Sequence, residues 1–282
     1  MGQHSLINDK WLKLLTDTGT IDVNEALPGF IFLDTKQDYP NYNDNKLVIN
    51  GLDGEIPGAI SFAPFNLVLR FGLDSQDVED VYLAEQKLRR LFFRRKHYSV
   101  VTSDIPNKKF AVATPNIATN VKDFASMEFE VTFQVYKGYS ESLYKTDQFS
   151  LMSDKWQFES GVMPDNEIAY THNRQKFSIF NGSDDTIDPR LRHELQIWIR
   201  LNTTTGFRLV NKTTGDIFEY KGKLETNQSF LLDGAYPYIE TKRCGRLTNH
   251  GIITLAPGYN DFEIWGSVSG VNIQFIFPFI YR

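Results

Sequence analysis

The residues best able to ligate a metal or move a proton are five histidines, His4, His97, His172, His193 and His250. No two of them fall at metal-ligand spacing on a helix or strand, and no His-Glu-x-x-His occurs. Histidines placed this way are read as surface or satisfied core residues. Cys244 is the single cysteine. One thiol can form neither an intrachain disulfide nor a thiolate metal site, so it is read as a small, partly buried side chain. A serine nucleophile would need a Gly-x-Ser-x-Gly elbow, and a phosphate cradle a Gly-x-x-x-x-Gly-Lys loop; the chain has neither. Asp184, Asp185 and Asp188 lack the ladder of a calcium loop, and a turn beside Pro189 accounts for them. Trp156, Trp198 and Trp265 could stack on sugars, but on a sandwich strand tryptophan usually packs the core. The expectation is therefore no catalytic residue, no cofactor and no metal, in a chain that is not an enzyme.

With no chemistry to position, the question becomes what the elements build. The 282 residues are 41% hydrophobic and 23% charged, a globular composition with room for two modest domains. The 22 Phe and 13 Tyr favour strands. A net charge of −5 argues against nucleic acid, whose binding draws on a basic excess. The first residues show no basic start followed by an apolar run. No apolar run approaches the ~20 residues of a membrane span. The chain reads as soluble, made in the cytosol, with no membrane contact. Four Asn-x-Ser/Thr sequons, at Asn181, Asn202, Asn211 and Asn227, then read as polar turn residues.

Asn8 could cap a short helix carrying Trp11, Leu14 and Leu15, although the same residues could form a strand. From Pro28 onward, short apolar runs alternate with turn residues. Strands are expected at Gly29–Leu33, Lys46–Asn50 and within Ile60–Leu73, with a polar loop at Tyr39–Asp44 and a turn at Asp53-Gly54. One helix, over about 75–95, carries Val78, Val81, Ala84, Leu88, Leu91 and Phe92 at helical spacing. Its end is basic: Arg89, Arg90, Arg94, Arg95 and Lys96. The plainer reading of that cluster is complementation of the helix dipole on a solvated face. The functional one is an interface with an acidic partner. Tyr98–Thr102 and Phe110–Ala113 read as strands, and in Met127–Tyr136 the apolar Phe129, Val131, Phe133 and Val135 alternate with polar residues. The polar stretch Gly138–Ser153 divides the chain. Beyond it, strands are expected at Lys176–Phe180, Glu194–Leu201, Gly206–Asn211, Asp216–Lys221, Gln228–Leu232, Gly251–Leu255, Asp261–Trp265 and Val271–Tyr281. Turns such as Asn181-Gly182, Thr214-Gly215 and Asp233-Gly234 separate several of them, the pattern of a β-sandwich. The fold class is thus mainly β with one helix.

Two stretches carry a resemblance. Ile105-Pro106-Asn107-Lys108-Lys109-Phe110 precedes MEFEVTFQVYKGYSES, and APGYNDFEIWGSVSG precedes the Phe-rich VNIQFIFPFIYR. With the order of strands, a helix ending Leu88-x-x-Leu91-Phe92, more strands, a polar break and a sandwich, the whole chain resembles the siphophage distal tail protein (Dit) family. Pro257, Gly258, Asn260, Ile264, Gly266, Phe275 and Phe277 match the turn, strand, glycine and final strand with which members close. The resemblance implies an N-terminal ring-forming domain over 1–145 and a galectin-like sandwich over 146–282. It implies a homo-hexamer in the virion tail, built in the host cytoplasm. The N-terminal domain would build that ring through strand pairing, a β-hairpin belt and the helix, and the ring would join the tail tube to the tail-tip protein and receive receptor-binding proteins. The alternative is a carbohydrate-binding module recognising the host cell wall. The His-x-Asn-Pro-Arg and Trp-x-x-Glu-x-Arg residues of sugar-binding galectins are missing, so simple galactosides are not expected to bind.

Overall fold

The computed structural model describes residues 10–74, 79–113, 115–121, 126–149 and 168–282. It is mainly β, as the aromatic content and alternation predict. The chain folds as two units, residues 1–140 with Arg282, and 141–281. The first holds β1 (Leu12–Thr16), β2 (Gly19–Asp22), α1 (Val23–Ala26), β3 (Phe30–Gln37), β4 (Asn41–Asn43), β5 (Ser61–Ala63), β6 (Phe65–Asp74), α2 (Glu79–Phe92), β7 (Tyr98–Thr102), β8 (Ile105–Val112), β9 (Asn116–Val121) and β10 (Ser126–Val135). Its sheet runs β2-β1-β7-β8-β10-β6-β3, with β9 also paired to β10. The longest pairing joins β10 to β6, from Ser126 opposite Asp74 to Val135 opposite Phe65. On β10 the alternating Phe129, Val131, Phe133 and Val135 are fully buried. Ala84, Leu88, Leu91 and Phe92 of α2 share their core. Phe92 lies 5.9 Å from Phe71 and 5.6 Å from Phe133, centroid to centroid, so the helix is keyed to β6 and β10 by aromatic contacts.

Three expectations for this unit change. The helix placed on Trp11, Leu14 and Leu15 is strand β1. Leu12 and Leu14 are both fully buried, and β1 is hydrogen-bonded on both sides, to β2 and β7. Helical geometry would forfeit that ladder. Asn8 lies outside the described residues. A short helix does occur nearby, α1, where the Asp22 carboxylate accepts from the Asn24 N–H. The loop at Tyr39–Asp44 contains strand β4, while Lys46–Asn50 is reduced to one bridge, Leu47 to Ile56. The helix at 75–95 is described from Glu79 and ends at Phe92; Val78 and the Val81 side chain lie outside the described residues. Its last carbonyls are taken up locally: Arg94 Nε donates to Leu91 O at 3.0 Å and the Tyr98 hydroxyl to Phe92 O at 2.7 Å.

A short strand, β11 (Ser140–Ser142), precedes the second unit's sheets. These contain β12 (Thr171–His172), β13 (Lys176–Asn181), β14 (Gln196–Asn202), β15 (Phe207–Asn211), β16 (Ile217–Tyr220), β17 (Phe230–Asp233), β18 (Tyr236–Ile239), β19 (Lys242–Arg243), β20 (Gly258–Trp265) and β21 (Ser269–Ile276), before the final β22 (Ile280–Tyr281). Six strands pair as β12-β21-β14-β17-β18-β19 and four as β13-β20-β15-β16. The sheets meet through phenylalanines: Phe262 of β20 lies 4.9 Å from Phe275 of β21, and Phe207 of β15 lies 5.5 Å from Phe230 of β17. This is the sandwich that the strand spacing predicts.

Gly251–Leu255, expected as a strand, is an extended segment with only one bridge, Leu255 to Ile187. Side chains satisfy it instead of a ladder. Asn211 Nδ2 donates to Thr254 O at 2.8 Å and Asn181 Nδ2 to Leu255 O at 2.9 Å, while the Asp216 carboxylate accepts from the Thr254 N–H at 2.8 Å. Asn181 and Asn211 are buried. Two of the four sequons are therefore interior structural residues. Ser142 and Thr146, in the polar stretch that divides the sequence, are also buried: the Phe279 N–H donates to Ser142 Oγ and the Thr146 hydroxyl to Phe275 O.

Candidate assembly surface

Between β4 and β5 the chain leaves its sheet as an arm. Its root is the three-residue ladder from Asn41 opposite Ala63 to Asn43 opposite Ser61. Asn45 Nδ2 closes the next level on Ala59 O at 2.8 Å, and Lys46 meets Glu55 at 2.8 Å. Gly58 passes so close to the opposing backbone that a Cβ would lie 2.1 Å from Asn45 O. Gly51 and Gly54 take the positive φ of the tip, where the sequence predicts the turn at Asp53-Gly54. At the root the Arg282 guanidinium sits over the Phe62 ring, 3.5 Å from its centroid.

The arm carries both charged and large apolar side chains outward. Tyr39, Tyr42, Leu47, Val48, Leu52, Ile56 and Ile60 are each more than half exposed. This many large apolar side chains exposed on one hairpin marks a candidate interaction site. A second apolar patch lies on the outer face of α2, where Tyr82 (71% exposed), Leu83 and Phe93 point away from the buried Ala84, Leu88 and Leu91.

The basic residues separate into two groups. Arg89 and Arg90 are exposed on α2, and Arg89 is held by Glu85 at 3.0 Å. Arg90 stands four residues from the neutral Gln86 and three from Phe93, on the side of the helix that carries the outer patch. Arg94 and Arg95 lie beyond the helix end. With Asp17, Lys96 and His97 they line a groove of about 390 Å³ against the β1–β2 turn. Lys96 bonds Asp17 and holds that carboxyl below its ordinary range. The sequence cluster is thus one exposed flank and one groove, both in the N-terminal unit.

The histidines do not converge. His193 Nδ1 lies 3.0 Å from the Asp188 N–H, a structural bond, and His172 stacks on Phe177 at 4.8 Å. No group of three metal-ligating side chains forms among the described residues. Cys244 is half-buried, and burial raises its thiol pKa. Tryptophan departs from expectation: Trp265 is 43% exposed and Trp198 half-buried, so neither is a sealed core residue. Trp156 lies outside the described residues. Sequence reasoning missed the arm as a surface, because its apolar residues are spaced like those of a buried strand. Its three glycines and its charged Asp44, Lys46, Asp53 and Glu55 are the signal that it stands clear of the core.

Residues 16–135 match the family model described as phage tail protein RIFT-related domain. No curated protein matches the sequence. Among solved structures, the Dit protein (gp 19.1) of phage SPP1, described as a paradigm of the hub adsorption apparatus in phages infecting Gram-positive bacteria, superposes with a TM-score of 0.65 at 12% identity, covering 95% of this chain and 99% of that one. A chain of the phage P2 baseplate in its activated conformation with Ca gives 0.40 at 10% identity over 96% and 98%. The same baseplate with Sr gives 0.40 at 10% over 95% and 97%. Residues 16–135 are thus similar to the phage tail protein RIFT-related domain, in a chain that has the fold of the SPP1 distal tail protein.

Proposed function

We propose that the protein is a structural subunit of a siphophage tail tip or baseplate, a non-catalytic hub that assembles as a hexameric ring. The observation that carries this is the pair of apolar surfaces on one unit, the arm from Tyr39 to Ile60 and the outer patch of α2. A surface of one shape that fits a different surface on the next copy makes a head-to-tail contact, and repeated head-to-tail contacts close into a ring when the rotation between copies divides a full turn. Covering the arm also removes an exposed hairpin that would otherwise invite aggregation. Arg89, Arg90, Arg94 and Arg95 sit in the same unit and would meet carboxylates of the neighbouring subunit or of the tail-tube protein, where guanidinium forks give orientation. The ring joins the tail tube to the tail-tip protein and offers sites to receptor-binding proteins. The SPP1 protein with the same fold is described as a hub, which supports the reading.

Light scattering on a size-exclusion column, with electron microscopy of the peak, tests it. At high protein concentration the expected mass is six times that of one chain, with rings in the images. Replacing Leu47 and Ile56 by Thr keeps strand propensity while removing apolar surface. Each is 51–57% exposed, so each loses about half of the ~1.5–3 kcal/mol for full burial, together about 1.5–3 kcal/mol per contact. The rings should dissociate at some tenfold or more higher protein concentration. A strictly monomeric protein without rings at high concentration refutes the reading.

A further inference from the structure

We propose that the outer face of the four-stranded sheet in the C-terminal unit is a binding site for a glycan chain lying along β20. The argument begins with alternation. On β20, Asn260, Phe262 and Ile264 point inward and are buried, so Tyr259, Asp261, Glu263 and Trp265 share the outer side. Tyr259 (45% exposed) and Trp265 stand at the two ends of this row, six residues apart, which on a strand is about 20 Å. Tryptophan this open is uncommon on a sandwich.

Two grooves border this row. The first, about 220 Å³, is lined by Trp265, Arg208, Glu219, Tyr220, Gly206 and Gly266. The register places Trp265, Arg208 and Glu219 side by side on β20, β15 and β16. Arg208 Nε donates to Glu219 Oε1 at 3.0 Å, which fixes both. The second, about 460 Å³, includes Tyr259, Asp261, Glu263, Lys176, Lys212 and Ser178. Here Lys176 and Lys212 reach Glu263 at 3.1 and 3.7 Å, and the Ser178 hydroxyl donates to Asp261 at 2.6 Å.

The chemistry selects the ligand. Every hydroxyl of a sugar is both donor and acceptor, and suits a wall where carboxylate oxygens and cationic N–H groups stand fixed side by side. The apolar face of a pyranose ring suits an aromatic ring face. A protein partner would want a contiguous apolar centre depleted of charge, and this row has charges between isolated aromatics. A nucleic acid would want unopposed cations, and Glu219, Asp261 and Glu263 oppose these. The constellation is drawn from three strands and does not depend on the sequence patterns of galactoside-binding galectins, which the chain lacks.

The full-length protein, labelled with ¹⁵N, is titrated with chitotetraose, maltotetraose and cellotetraose up to about 10 mM, enough to fill a millimolar site, and probed on an array of bacterial glycans. At least one glycan should bind and shift the Trp265 indole resonance. Trp265→Ala and, separately, Tyr259→Ala should keep the melting temperature and weaken that binding about tenfold or more, a loss easily read as a change in Kd. Three results overturn the proposal: no glycan bound in either format, binding that is indifferent to both substitutions, or a Trp265→Ala variant whose only defect is loss of a tail protein partner. Ring formation is scored on the same variants and should be unchanged, so failure of this site is separable from failure of the assembly reading.

Discussion

Replacing Asn260 by Asp tests the idea that amide side chains, in place of a β ladder, hold the Ala256–Gly258 turn that leads into β20. Asn260 is fully buried. Its Oδ1 accepts from the Ala256 N–H at 2.9 Å and from Asn211 Nδ2 at 3.2 Å, and its Nδ2 donates to Ala256 O at 2.8 Å and Gly258 O at 3.2 Å. The change is nearly isosteric, so packing is preserved and both accepted bonds survive. Both donated bonds are lost, and an anionic oxygen now faces two carbonyls. A buried acceptor left without its donor costs about 1–3 kcal/mol, so the pair costs about 2–6 kcal/mol at pH 7. The pH dependence has a definite sign. Burial against carbonyls raises the new carboxyl's folded-state pKa above its unfolded value near 4. The protonated form can donate to one carbonyl, so the folded variant binds more protons than the unfolded one above that pH. The deficit against the wild type should therefore be smallest near pH 4 and grow as pH rises through the folded-state pKa. Urea unfolding of both proteins at several pH values, following the C-terminal unit's transition, measures it. A deficit below about 1 kcal/mol at pH 7, or one that does not shrink on acidification, would refute the reasoning, since an unmade buried bond cannot cost so little.

Leu88 is fully buried beneath α2, and Leu88→Ala should destabilise the N-terminal unit by about 2–5 kcal/mol in the same kind of unfolding experiment; a change under 1 kcal/mol would mean the helix is not seated on the sheet. The double change Arg90→Glu and Arg94→Glu should leave the fold intact and cost no more than about 1–3 kcal/mol, from one lost bond to the helix end and two anions near it. It should weaken ring assembly and incorporation into tails; normal rings from a normally folded double variant would return the basic cluster to a solvated helix end.

Much of the fold was legible wherever one physical signal dominated. Alternation alone located β10 and β13, and turn chemistry located the bends at Asn181-Gly182, Thr214-Gly215 and Asp233-Gly234 between or after paired strands. Helical spacing found α2 because Ala84, Leu88, Leu91 and Phe92 share one buried side. The failures occurred where two signals competed. Trp11 to Leu15 fits a helical stripe and a strand alike, and only the tertiary pairing with Val100 and Val101 decides it. Gly251 to Leu255 has strand composition, yet its partners are the side chains of Asn181, Asn211 and Asp216, which no local pattern announces. The candidate surfaces were harder still. The basic cluster could be seen in the chain, but its division into a helix flank and a separate groove depends on where the helix stops. The row of Trp265, Arg208 and Glu219 spans three strands and exists only in the register.

The arm poses a physical problem that its own sequence answers. Seven large apolar side chains more than half exposed on a hairpin should promote wrong pairing. Two features oppose it. The arm's backbone ladder is short, three pairs at the root and one bridge at Leu47 and Ile56, so it presents no long edge on which another strand can grow. Charges are interleaved with the apolar residues at Asp44, Lys46, Asp53 and Glu55, and a wrong partner would have to bury them while the Lys46–Glu55 pair keeps them satisfied in place. Pro40 and Pro57 withhold two more backbone donors near its root and flank. An arm that resists generic strand addition but remains apolar can be covered well only by a surface shaped for it. On the proposed ring reading, the outer patch beside α2, with Tyr82, Leu83 and Phe93 exposed, is the surface that would cover the arm of the next copy. Resistance to edge pairing would then act with the attraction between unlike patches to favour that one contact over generic strand addition.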